Sequence, residues 1–202
     1  MPSKLLKTPI LPDKYYHIFN KANNSEKIFR DDFDYQFFLL KLSKIVIAGI
    51  DVYSFCLLPN HFHLLIKPKP SFQNSNVVPF KEHLRKFFQI YAQYYNEKYK
   101  RKGSLFLKSF RRIEINEDYY LKYMLFYIHY NPQKHNLIGD YKNYRFSSYR
   151  IYINSHQTNL QKQEMLKLFD DKLEEFIAFH QDCIERRVGF EGTPSLGMES
   201  PN

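Results

Sequence analysis

Residues 57–68 read LLPNHFHLLIKP, and this stretch decides the fold. Residues 52–58 before the Pro59-Asn60 pair and 61–67 after it are short runs rich in apolar and β-branched or aromatic residues. Pro-Asn is a turn signal, so the two runs form a hairpin. Side chains on a strand alternate faces, so His61 and His63 project to one side while Phe62, Leu64 and Ile66 face the other and anchor the strand in a core. Two imidazoles at i, i+2 present two nitrogens side by side, a geometry suited to a divalent metal. A pair of ordinary surface histidines on a hairpin is the competing reading.

Working outward, residues 15–21 alternate like a strand. Asp31 is positioned to cap a helix running to about Ala48 and stopped by Gly49. Pro79 opens a long helix through Lys100, with Gly103 beyond its end. Residues 104–115 read as extended, and Asn116 caps a further helix that carries Glu117 and Asp118 in its first turn and ends near Pro132. The order strand–helix–strand–strand–helix–strand predicts an α+β, ferredoxin-like antiparallel sheet with helices packed on it, followed by an extra helix. Residues 1–155 form the main domain. Residues 161–169 and 171–187 read as two helices within a C-terminal helical extension, 156–188. The Gly/Ser/Pro-rich tail 189–202 is expected to be disordered.

At 202 residues the chain is long enough to bury a real core. It has no run of apolar residues long enough for a membrane span and no signal-peptide pattern at its start, which predicts a cytoplasmic protein without a membrane partner. Two cysteines, Cys56 and Cys183, make no disulfide framework or structural zinc site; Cys56 reads as a small core residue. No G-x-G-x-x-G, P-loop or G-x-S-x-G is present, which removes the common dinucleotide, nucleotide and serine-hydrolase classes. The net charge is +9, beside 17 Tyr and 19 Phe. Residues 81–112 hold ten basic side chains against two acidic, a surplus of eight. Interleaved aromatics (Phe87, Phe88, Tyr91, Tyr94, Tyr95, Tyr99, Phe106, Phe110) make a nucleic-acid surface one reading, with cations on phosphates and rings stacked on unpaired bases. An amphipathic helix with a solvated basic side is the other.

The next helix carries YYLKYMLFYIHYNP. Leu121, Met124, Leu125 and Ile128 have the spacing of a buried stripe, and Tyr127 and Asn131, at i and i+4, share another side. The amide oxygen of Asn131 can complete a hard-cation site with two histidines and leave positions open for phosphate oxygens. An Asn that merely ends a helix before Pro132, with a Tyr at a core boundary, stands beside that reading.

The sequence resembles the single-tyrosine HUH transposases, and most closely the REP-associated tyrosine transposases. The likeness rests on YYHIFNKANNSEKIF, CLLPNHFHLLIKP, GSLFLKSFRRIEI, FYIHYNPQKHNLI and YRFSSYRIY in that order, from about Tyr15 to about Ile153. It implies that His61, His63 and Asn131 hold Mg²⁺ or Mn²⁺. It further implies that Tyr127 is the nucleophile that forms a 5′-phosphotyrosine and releases a 3′-OH. The implied substrate is single-stranded DNA with a palindrome that folds into a REP-like hairpin, and the implied state is a monomer with its tyrosine in cis. Such a protein would be nucleoid-associated when bound. The DNA contacts expected from the basic segment are Arg85, Lys86, Lys98, Lys100, Arg101, Lys102, Lys108, Arg111 and Arg112. A binding module that never cuts, and a hydrolase that activates water at His61 and His63, are the rival classes.

Overall fold

The computed structural model describes residues 9–47, 49–70, 80–107, 109–154 and 157–188. Four strands, β1 (Tyr15–Lys21), β2 (Ile50–Leu58), β3 (His61–Pro68) and β4 (Arg111–Ile115), form one sheet in the order β2-β3-β1-β4, every neighbouring pair antiparallel. This is the ferredoxin-like order. Helices α1 (Asp32–Ile47) and α2 (Phe80–Lys98) connect it, α3 (Asp118–Lys134) follows, and α4 (Tyr149–Ile153), α5 (Lys162–Leu166) and α6 (Leu173–Val188) complete the described chain.

Local chemistry explains the boundaries. Asp31 caps α1 by accepting from the Asp34 backbone N–H at 3.1 Å, and Gly49 takes φ +90° just past its end. Pro59-Asn60 joins β2 to β3 as expected. That turn is tied down from outside, with the Pro59 carbonyl accepting from Ile28 and Phe29 and the Asn60 carbonyl from Ala22. Three boundaries differ from expectation. α2 ends at Lys98, with Lys100 in the left-handed region (φ +50°) ahead of Gly103 (φ +90°). Of residues 104–115 only Arg111–Ile115 is strand. Glu117, not Asn116, precedes α3, and α3 runs through Pro132 to Lys134 because the Asn131 and Pro132 carbonyls are closed by His135 and Leu137. Pro79, Lys108 and the tail 189–202 lie outside the described residues.

Two cores sandwich the sheet. Ile18, Phe62 and Leu64 meet α1 and α2 on one face through Phe38, Leu84 and Tyr91. Leu58 and Leu65 meet α3 on the other through Met124, Leu125 and Ile128. The C-terminal helices belong to this second core, where Phe176 of α6 is fully buried and stacks on Tyr152 at 5.0 Å. A chain of buried hydrogen bonds reinforces the dock: His180 bonds the Phe176 carbonyl (2.8 Å) and His129 (3.0 Å), and His129 reaches Ser148 (2.9 Å) and Ser54 (3.1 Å). At the far end of the sheet, Glu164 of α5 accepts from Tyr53, Tyr15 and Lys67. Cys56 and Cys183 are buried and form no disulfide. Among the described residues no helix is long and apolar enough to cross a membrane.

Candidate active site

Strand alternation splits the hairpin as its sequence requires. Phe62 stacks on Phe88 of α2 at 5.0 Å, so α2 covers one face, while His61 and His63 point to the face covered by α3. Their rings are 5.2 Å apart. His61 Nδ1 lies 2.7 Å from Asn60 Oδ1, an atom that only accepts, so Nδ1 carries the hydrogen and Nε2 is left as a lone pair. That Nε2 is buried without a partner.

Register brings in a residue that sequence reading missed. β1 runs antiparallel to β3 with Phe19 opposite His63 and His17 opposite Leu65, so His17 sits diagonally beside His63 on the same face. His17 is fully buried, and its Nε2 lies 2.9 Å from His63 Nδ1. Burial, then repulsion from His135, Lys134 and Lys21, pushes His61 down to about 3; burial alone takes His17 to about 3. His63 is held well below the usual histidine range by burial first and the neighbouring histidines next. All three are neutral at physiological pH, the state in which an imidazole ligates a metal.

From the opposite side, α3 supplies Tyr127. The expected stripe Leu121, Met124, Leu125 and Ile128 is buried, and it holds the helix so that the Tyr127 ring meets His63 edge-on at 5.7 Å and His17 at 6.0 Å. Only 5% of Tyr127 is exposed. One turn later, Asn131 donates from Nδ2 to the Tyr127 carbonyl at 2.7 Å, which leaves Oδ1 buried and unpartnered. His135 closes the same turn and packs against His61 at 4.9 Å. Two turns along from Tyr127, Lys134 donates to the phenol oxygen at 3.4 Å and lies 4.8 Å from the ring centroid. This i, i+7 relation was visible in the helix periodicity; the His17 contact, 46 residues from its partner, was not.

Among the described residues no three His, Cys, Asp or Glu side chains gather as ligands. The histidine strand and α3 instead offer His61 Nε2 and Asn131 Oδ1, both buried and unbonded, beside a neutral His63. A buried polar atom without a partner is costly, and such orphans mark sites that expect one. Two neutral imidazoles and an amide oxygen fit a divalent cation of intermediate to hard character.

The basic segment is arranged differently from expectation. Its helix α2 lies on the sheet face opposite Tyr127, and most of its aromatics pack into the core: Phe87, Phe88, Tyr91, Tyr95, Phe106 and Phe110 are all buried. Lys98 binds Asp31 and Asp34, each at 2.8 Å. Arg101 binds Glu26 at 2.7 Å and the Ser104 carbonyl at 3.0 Å. Arg112 is buried, 5.7 Å from the Phe110 ring. Lys86, Lys100 and Lys102 are exposed; Arg85 is exposed and paired with Glu82. A groove of about 350 Å³ between α2 and residues 103–107 and 109–110 is lined by Asn20, Lys81, Arg85, Phe88, Phe110 and Arg112. Arg111, opposite Phe19, is on the Tyr127 face. Lys108 lies outside the described residues.

The family model described as "Transposase IS200 like" matches residues 11–131, and the chain belongs to that family. Its fold is that of a solved REP-associated tyrosine transposase bound to a REP hairpin, at TM-score 0.59 and 16% identity, over 75% of this chain and 86% of that one. A comparison with curated proteins gives no match.

Proposed function

We propose that the protein is a divalent-metal-dependent transposase of single-stranded DNA that nicks and rejoins hairpin-forming substrates through a covalent link to Tyr127. The observation that carries this reading is the Tyr127 phenol set against His63 and His17, with the Lys134 ammonium at its oxygen; His61, beside His63, and Asn131, one turn along from Tyr127, each keep a buried polar atom without a hydrogen-bond partner among the described residues. His61, His63 and Asn131 would hold Mg²⁺ or Mn²⁺. When bound, such an ion offsets charge on the scissile phosphate and the leaving oxygen.

The chain's own residues do the rest. The Tyr127 oxygen attacks phosphorus, forming the O–P bond as the bond to the 3′ oxygen breaks, and the phenol proton passes to water while a proton from water ends on the 3′-OH. The Lys134 ammonium stabilises negative charge on the phenol oxygen as the nucleophile ionises and again when it leaves in the reverse step. The phosphodiester bond is conserved, so rejoining needs no ATP. The tyrosine acts on the histidine strand of its own chain, which suits a monomer. DNA would bind through Arg111 on the catalytic face and through Lys86, Lys100, Lys102 and the groove beside α2 on the other, so a bound strand passes around an edge of the sheet. The neighbour's REP hairpin suggests the same substrate class here.

The test is incubation with Mn²⁺ and a 3′- or 5′-labelled single-stranded hairpin oligonucleotide. A protein–DNA adduct that is lost in Tyr127→Phe supports the proposal. Free cleaved product from both proteins would make the site a hydrolase, and binding without cleavage a hairpin-binding module.

A further inference from the structure

We infer that His17 is a positioning residue for the metal centre, one that holds the His63 ring by accepting the hydrogen of its Nδ1 when Nε2 is the ligand. This rests on the reading of His61, His63 and Asn131 as ligands. The two histidines of the His-Phe-His strand are held by unlike partners. The Nδ1 of His61 faces an amide oxygen, Asn60 Oδ1 at 2.7 Å, which only accepts. One tautomer satisfies that contact, and it leaves Nε2 bare. The Nδ1 of His63 faces another imidazole nitrogen, His17 Nε2 at 2.9 Å, which can donate or accept.

A single hydrogen occupies that contact, and it has two homes. When His63 Nδ1–H donates, His63 Nε2 is a lone pair and can bind a metal, and His17 keeps its own hydrogen on Nδ1. When His17 Nε2–H donates, His63 Nε2 carries a hydrogen and cannot ligate. Metal therefore selects the first arrangement. Supporting groups on the far nitrogen of a ligating histidine commonly fix its tautomer and ring orientation in this way. His17 is suited to hold the ring as well. It is fully buried, stacks on His63 at 5.1 Å and on Phe19 at 4.8 Å, and among the described residues its Nδ1 has no hydrogen-bond partner that would compete with the contact at Nε2. Its ring also meets the Tyr127 ring at 6.0 Å, so one side chain of β1 borders both the ligand strand and the nucleophile.

The experiment measures metal binding by the full chain without DNA. Mn²⁺ titration followed by electron paramagnetic resonance compares wild type, His61→Ala, His17→Phe, which keeps a flat ring but removes the acceptor, and His17→Gln, whose amide oxygen restores one. The expected result is Mn²⁺ binding weakened ~10- to 100-fold in His17→Phe and largely recovered in His17→Gln. Equal affinity in wild type and His17→Phe overturns the role of His17 alone. Equal affinity in wild type and His61→Ala overturns the ligand reading and this inference with it. Nitrogen NMR of histidine-labelled wild type loaded with Mg²⁺ gives an answer even if His17→Phe fails to fold. Coupling between His63 Nδ1 and His17 Nε2 across their hydrogen bond supports the inference, and its absence, or hydrogen on His63 Nε2, overturns it.

Discussion

Lys134 Nζ lies 3.4 Å from the Tyr127 hydroxyl oxygen and 4.8 Å from the centre of its ring, two helical turns along α3. A free phenol ionises near pH 10, so an attacking tyrosine at neutral pH needs a neighbour that favours the phenolate. Replacing Lys134 with Gln is expected to slow single-turnover adduct formation about 100-fold at pH 7, with Lys134→Arg retaining most of the rate. The deficit should shrink as pH rises and hydroxide takes the phenol proton without the lysine's help. A Lys134→Gln profile parallel to wild type would show that the lysine does not act on the nucleophile.

Asn131 serves two atoms with opposite demands. Its Nδ2 donates to the Tyr127 carbonyl and its Oδ1 is free. Asn131→Asp keeps an oxygen and adds charge, so Mn²⁺ should bind more tightly, while the lost donor lowers metal-free stability by about 1–3 kcal/mol. Asn131→Ala should weaken Mn²⁺ binding at least about tenfold. Calorimetric titration and thermal unfolding separate the two effects; unchanged Mn²⁺ binding in both variants removes Asn131 from the ligand set.

The basic residues divide by what they touch. Lys86→Gln and Lys102→Gln, on exposed side chains, should each reduce the slope of log binding constant against log salt by about 1 and leave unfolding unchanged. Arg101→Gln should do the reverse, lowering Tm by about 5 °C through loss of its contacts to Glu26 and the Ser104 carbonyl while the salt slope stays put. A salt slope reduced equally by all three would mean that Arg101 reaches DNA despite its ion pair.

Acid should undo the dock of α6. Burial holds His129 well below the usual range and takes His180 down to about 3, against the opposing effect of the Phe176 carbonyl. Both pKa values are lower folded than unfolded, so the unfolded chain binds more protons below its own value near 6.5. Stability is therefore full above pH 6.5 and falls toward the folded values, by ~1.4 kcal/mol per pH unit for each such histidine. His180→Gln keeps an acceptor for His129 and a donor for Phe176 but cannot titrate. Denaturant unfolding between pH 7 and 4 should show its pH slope reduced by one proton; an identical slope would show that His180 does not take up a proton on unfolding.

Much of this molecule was legible in the chain because the informative distances are short. Alternation over His61-Phe62-His63 splits core from site, a 3.6-residue period sets Tyr127 one turn before Asn131, and Pro59-Asn60 turns the strands. The same locality explains what went wrong with the basic segment: periodicity shows that α2 has an apolar side, but not which face of the sheet it covers or which acids its cations meet. Arg101 and Glu26 are 75 residues apart, and Lys98 and Asp34 are 64 apart.

By itself, then, the sequence determined the order of elements, the ferredoxin-like sheet and the family to which the chain belongs. The tertiary structure decided that the charge of α2 lies across the sheet from Tyr127, that its aromatics build a core, and that His17 joins His63. Strand register is the physical reason for the last, since a slip of one residue would turn His17 to the opposite face. Burial is the reason for the rest: a large aromatic side chain gains more from leaving water than from waiting for a base, and a cation near the surface of a core takes the nearest carboxylate.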